Sequence, residues 1–247
     1  MKKFKVSVIL VCLAAVWITA QDLPVLEPQP PAPQPAAPVQ PAVTAQNQPK
    51  SGDALVLFRQ GRDLELKGKR AEAAKYYQDA IAVCNAELAR DSTRMDAYTI
   101  KCWSLFRLEQ YKQVIDVGLL SLKVKYDARV VETMGEAYYF LNDMANCLKS
   151  MQSYINNTGE NADRVATAYF YTAEAYVRLQ KFEHADISYS MAVYKEPSMA
   201  RWWLRYAQLA EKLEDYQRSY AYYTKALLLS PDNKEASDGQ KRMKQYL

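Results

Sequence analysis

His184, four cysteines and a few paired carboxylates are the groups in this 247-residue chain best suited to metal or acid–base chemistry. His184 is the only histidine and sits between Glu183 and Ala185. With no second histidine and no cysteine at ligand spacing, it reads as a surface residue rather than a metal ligand. Cys12, Cys84, Cys102 and Cys147 form no CxxC pair, and Cys12 lies in the N-terminal apolar run. The remaining three are too few for a disulfide framework. One bridge among them is open to the chain, but free core thiols are the expectation. Glu132 and Glu136 stand one helical turn apart, a spacing that would serve acid–base work but is also common on a solvated helix face. No Ser–His–Asp grouping, HExxH, GxSxG or phosphate loop is present. The sequence therefore predicts no catalytic residue, no metal site and no cofactor, and its function must come from surfaces.

Charge narrows the partner. The net charge is +4, but Lys2, Lys3 and Lys5 contribute three of those charges, so the rest of the chain is nearly neutral. That is not the basic footprint of a nucleic-acid binder.

Three compositional zones follow one another. Residues 1–20 (MKKFKVSVILVCLAAVWITA) have a basic start, an apolar run and a small residue before Gln21. This is the layout of a signal peptide, with Ala20 as the cleavage position, or of a short uncleaved membrane anchor. Val11 argues against a lipid anchor on Cys12. Residues 21–52 hold nine of the eleven prolines. Proline fixes φ and removes donors, so this arm is expected to be an extended linker. Its bland role is a spacer; its sharper one is a proline-rich ligand for a partner's aromatic groove. Membrane contact is expected only through the N-terminal segment, if it is retained. From residue 53 to 247, glycine and proline are scarce and helical periodicity takes over.

That body repeats itself. Tyr169, Ala173, Phe182, Ala185, Tyr189, Ala192 and Pro197 recur thirty-four residues later as Trp203, Ala207, Tyr216, Ser219, Tyr223, Ala226 and Pro231. Weaker copies run ahead of them. The first has Gly61, Leu64, Gly68, Ala73, Tyr77 and Ala80. The second has Tyr98, Cys102, Leu105, Tyr111 and Val114, with Gly118 in the aromatic place, and the third has Gly135, Tyr138, Cys147, Met151 and Tyr154. Small residues at these spacings let two helices approach, and aromatics fill the gaps between successive pairs. One such pair cannot bury its apolar face alone, so stacking is required.

This register resembles the tetratricopeptide repeat, a 34-residue helical hairpin. The resemblance implies an all-α, right-handed superhelical solenoid of about five hairpins, near residues 54–87, 95–128, 128–161, 166–199 and 200–233. Residues 234–247 would form a capping helix. The uneven spacing of the starts calls for an extended helix around Glu87–Asp91 and an insertion in the loop at Asn156–Asn161. In the family the first helix of each hairpin lines a binding groove. Projection at 3.6 residues per turn places Arg62, Trp103, Phe106, Arg107, Tyr139, Phe140, Phe170, Tyr171, Arg178, Arg201 and Arg205 on that face. Aromatic and arginine side chains are common interface anchors. An extended or helical peptide is expected there, its apolar anchors near Trp103–Tyr171 and its acidic end toward Arg201 and Arg205. Relatives that clamp a chaperone's C-terminal carboxylate carry asparagines that are missing here, where Phe58, Arg62, Ile100, Arg129 and Thr133 stand.

The function these features predict is an exported adaptor binding another protein or peptide, within a complex of the bacterial cell envelope or periplasm. Two rivals follow from the same features: a periplasmic receptor for a small or hydrophobic ligand beside a transporter, and an accessory subunit of an envelope enzyme complex. A deep, solitary apolar pocket would favour the receptor; an open, continuous groove favours the adaptor.

Overall fold

The computed structural model describes residues 53–159 and 161–247; the leader over 1–20 and the linker over 21–52 lie outside them. The described residues form eleven α-helices and a closing 3-10 turn, with no strand among them. In chain order these are α1 (Ala54–Leu66), α2 (Arg70–Arg90), α3 (Met95–Arg107), α4 (Tyr111–Val124), α5 (Ala128–Phe140) and α6 (Met144–Thr158). They continue with α7 (Val165–Arg178), α8 (Phe182–Lys195), α9 (Ala200–Lys212), α10 (Tyr216–Leu229) and α11 (Lys234–Met243). Each odd-numbered helix from α1 to α9 pairs with the next to make a hairpin, and each hairpin packs on its neighbour. The architecture is an all-α solenoid.

Local chemistry sets the helix ends. Asp53, Asp127, Asp143, Asp215 and Asn233 accept from backbone amides in the first turns of α1, α5, α6, α10 and α11. The five hairpin turns share one geometry. Gly68, Glu109, Asn142, Gln180 and Glu214 all sit at φ between 58° and 76°. The amide one place later bonds back into the first helix, as in Gln110 to Leu105 and Lys181 to Tyr176 at 2.9 Å each. Glycine or asparagine is the natural occupant of this left-handed region. Glutamate and glutamine hold it at three of the five turns.

Packing explains the small residues. Ala73, Ala80, Ala173, Ala185, Ala192, Ala207 and Ala226 are buried where paired helices meet. The Tyr77 ring lies over Gly61, where an added Cβ would fall 2.6 Å from the ring; Gly239 of the closing helix carries Tyr223 in the same way. Tyr189 and Tyr223 are among the largest fully buried side chains. The second hairpin departs from this pattern. Gly118 replaces the aromatic, and Met134 of α5 fills the space so tightly that a Cβ on Gly118 would lie 2.4 Å from its sulfur. The long spacings are taken up by α2, which runs 21 residues, and by the segment before α7. There the expected loop begins later than the sequence suggested: α6 continues through Thr158, where the Asn157 and Thr158 side chains donate back to the Ser153 and Tyr154 carbonyls at 2.7 and 2.8 Å. Cys84, Cys102 and Cys147 are free and buried. Burial pushes each thiol up to about 12.

Candidate functional site

The face formed by α1, α3, α5, α7 and α9 carries a nearly unbroken string of rings. Phe58 and Trp103 lie 5.5 Å apart. Phe106 meets Phe140 edge-on at 5.8 Å, and Phe140 stacks on Tyr111 at 4.8 Å. Tyr139 meets Tyr171 at 5.2 Å, Tyr171 meets Phe170 at 5.5 Å, and Phe170 stacks on Trp202 at 5.1 Å. Phe140 is 42% exposed, and Trp103, Phe106 and Tyr171 are half-buried. These four can touch a guest. Tyr139 and Phe170 cannot: they are 6% and 3% exposed because they fill the space between adjacent hairpins. Trp202 and Tyr111 complete the string, although neither was among the residues selected for the groove. Tyr111 opens α4, outside the projected first helices, and Trp202 sits on the buried side of α9.

The arginines divide in the same way. Arg107 holds Glu65 through two contacts, the longer 2.9 Å. Arg205 grips both oxygens of Glu174 at 2.7 and 2.9 Å. Arg178 donates to the Tyr139 carbonyl at 2.8 Å and lies 3.8 Å over that ring. Such cations are committed to neighbouring hairpins and are poor partners for an acidic guest. Arg62, at 3.9 Å from Glu65, and Arg201, 5.9 Å from the Phe170 ring, are exposed and more loosely held.

A recurring tie underlies this division. A glutamate on a first helix accepts from a tyrosine of its own hairpin and from an arginine further along the chain. Glu65 takes Tyr77 and Arg107, Glu174 takes Tyr189 and Arg205, and Glu211 takes Tyr223 and Arg242. Burial alone would raise these carboxyls, but the arginine and tyrosine donors outweigh it and hold Glu65, Glu174 and Glu211 below the usual range. The tyrosines move the other way. Burial and then the facing Glu65 carry Tyr77 up to about 12, while burial and then Glu174 do the same to Tyr139.

Glu132 and Glu136 are not on a solvated face. They are 2% and 7% exposed, and both point at Arg164, whose Nε donates to Glu132 at 2.8 Å. Burial, followed by the like charge of Glu136, pushes the Glu132 carboxyl well above the ordinary range. These groups back a cavity of about 230 Å³ walled by Phe58, Arg62, Trp103, Phe106 and Arg107. A wider recess of about 690 Å³ shares the Phe58 and Trp103 wall and extends to Asp53, Arg59, Arg94 and Arg129. The recesses are consecutive stretches of one surface rather than a single deep hole. His184 is exposed, 5.1 Å from the Tyr176 ring. No cluster of metal-ligating side chains occurs among the described residues.

Comparison with known proteins agrees with this geometry. A tetratricopeptide-repeat family model matches residues 200–233. No curated protein matches the chain significantly. Among solved structures, YrrB, described as a TPR protein with an unusual peptide-binding site, is 17% identical at a TM-score of 0.53, covering 76% of this chain and 92% of its own. MamA is 15% identical at a TM-score of 0.56, covering 74% and 96%. At such identities the likeness is one of fold. Residues 200–233 match the tetratricopeptide repeat, and the described residues share the fold of tetratricopeptide-repeat solenoids.

Proposed function

We propose that the chain is a non-catalytic adaptor that binds a peptide segment of another protein along the α1–α9 face, and that it works in the bacterial cell envelope. The observation that carries this reading is the row of half-exposed aromatics, Trp103, Phe106, Phe140 and Tyr171, beside two consecutive recesses. Rigid aromatics give large contact area at low entropic cost, which suits peptide capture. An elongated surface fits a chain segment better than a compact small molecule, which would need an enclosed apolar pocket. YrrB, whose fold this chain shares, is described as having a peptide-binding site. The envelope location rests on the basic and apolar residues 1–20 and the proline-rich segment that follows.

Charge refines the guest. Glu65, Glu132, Glu136 and Glu174 are each engaged by an arginine, whereas Arg62 and Arg201 remain exposed at either end of the ring row. The guest therefore carries apolar anchors in its middle and acidic residues at its ends.

The test is photocrosslinking in intact cells from a probe at Phe140, with a probe at Tyr194 on α8 as control. A discrete protein adduct from Phe140, absent from Tyr194 and lost when Trp103 and Phe106 are both alanine, supports the reading. Unchanged adducts in that double variant, with its helical content retained, would overturn it.

A further inference from the structure

The cavity wall made by Glu132, Glu136 and Arg164 has a charge imbalance that the rest of the groove lacks. Two carboxyls lie one turn apart on α5, both nearly sealed from water, and share a single guanidinium. Glu65, Glu174 and Glu211 each accept from a tyrosine of their own hairpin as well as from an arginine. Here the sharing is reversed.

The surrounding groups do not correct the imbalance. Across the cavity, Arg107 is held by Glu65 and Arg62 is exposed on α1. From α4 comes Tyr111, from α6 Cys147 and Tyr154, and from α7 Tyr171, whose hydroxyl meets Glu136. On α5 itself Arg129 is committed to Asp127 and Asp96. Burying two carboxylates against one cation costs more than burying one, so one proton between them gives the balanced state. The raised affinity of Glu132 for its proton, caused by burial and by Glu136, agrees with that count.

We propose that Glu132, Glu136 and Arg164 form a proton-operated latch in the groove wall. With one proton shared, the remaining negative charge holds Arg164, and with it the segment leading into α7. A second proton removes that hold. Arg164, whose side chain is 49% exposed, then turns to water at the groove rim, and the site as a whole changes from neutral to cationic with that charge uncompensated. Loss of the last proton makes the wall anionic. Resting on the groove reading above, this means that acidification strengthens binding of an acidic guest.

The sign for stability follows from linkage. Because Glu132 binds its proton more tightly in the folded chain, its contribution is full below the unfolded value of about 4.3 and is lost as pH rises through the folded one. Glu132→Gln, which is permanently neutral, removes that alkaline loss.

The experiment needs no guest, so it succeeds or fails independently of the groove reading. The full chain is labelled with ¹³C at glutamate carboxyls and titrated by NMR, while hydrogen exchange is followed over residues 161–167. The expected result is one coupled carboxyl step far above the ordinary glutamate range, absent from both Glu132→Gln and Glu136→Gln. Protection over 161–167 should fall by about tenfold or more when the second proton binds, after correction for intrinsic rates. An elevated step that survives either substitution overturns the latch, as does unchanged protection over 161–167 in the native chain. Each glutamine variant checks the other should one fail to fold.

Discussion

Removing the Glu174 carboxylate should unfold the solenoid around its fourth hairpin. Glu174 is 2% exposed and accepts from the Tyr139 hydroxyl at 2.7 Å, the Tyr189 hydroxyl and both arms of Arg205. Glu174→Ala strands two phenol donors inside the core, since Tyr139 and Tyr189 are 6% and 0% exposed. An unsatisfied buried hydroxyl costs roughly 1–3 kcal/mol. Arg205 is half-buried and can recover water, so its loss adds less. The expected cost is about 3–5 kcal/mol, typical of breaking a buried ion pair from one side. Glu174→Gln keeps an acceptor but not the charge, and should cost about half as much. The two variants also differ from the native chain in acid. Because the Arg205, Tyr189 and Tyr139 donors outweigh burial and depress the folded carboxyl, its stabilisation is present above about pH 4.3 and is lost as pH falls through the folded value. Urea unfolding followed by circular dichroism, at neutral pH and down the acid limb, measures both effects. If Glu174→Ala costs less than about 1 kcal/mol, or Glu174→Gln keeps the native acid slope, then the tie is not what holds these hairpins together.

Three further outcomes follow from the packing. Gly118→Ala should destabilise the junction of the second and third hairpins by about 1–3 kcal/mol, because its Cβ falls 2.4 Å from the Met134 sulfur. Pairing it with Met134→Ala should recover part of that clash in a double-mutant cycle, and strict additivity would contradict it. Gln180→Gly should stabilise by up to about 1 kcal/mol in thermal melts, since it relieves a left-handed residue at φ 58°; a loss would show that the Gln180 side chain matters more than its backbone. Cys84, Cys102 and Cys147, buried and with thiols raised to about 12, should resist a thiol reagent in the native chain and react together on unfolding.

The fold was legible because its signals are local. Small Ala173 and Ala207, the aromatics Tyr189 and Tyr223, and the thirty-four-residue register each reflect the contact between two paired helices. The site was only half legible. Projection put Arg205, Tyr139 and Phe170 on one face, but it could not show that another hairpin reaches back to occupy that face. Glu174 and Arg205 are 31 residues apart, and their pairing depends on how two hairpins stack. The spacing of Glu132 and Glu136 left their surroundings open for the same reason: Arg164, 32 and 28 residues later, is the group that meets them inside. The strained turn residues Glu109, Gln180 and Glu214 were invisible because none is of the type that announces a left-handed turn.

Gly118 and Met134 give the second junction a different mechanical character. The first hairpin grips the second through Glu65 and Arg107, and the fourth grips the fifth through Glu174 and Arg205. Between the second and third, the named polar links are Arg129 to Asp96, which are well exposed, and Thr99 to Asp127 at 3.4 Å. Methionine is compliant where a tyrosine-anchored ion pair is stiff. Under a pull along the solenoid axis, this joint would give by sliding of apolar side chains, Met134 and the Phe106, Tyr111 and Phe140 rings, rather than by rupture of a buried ion pair.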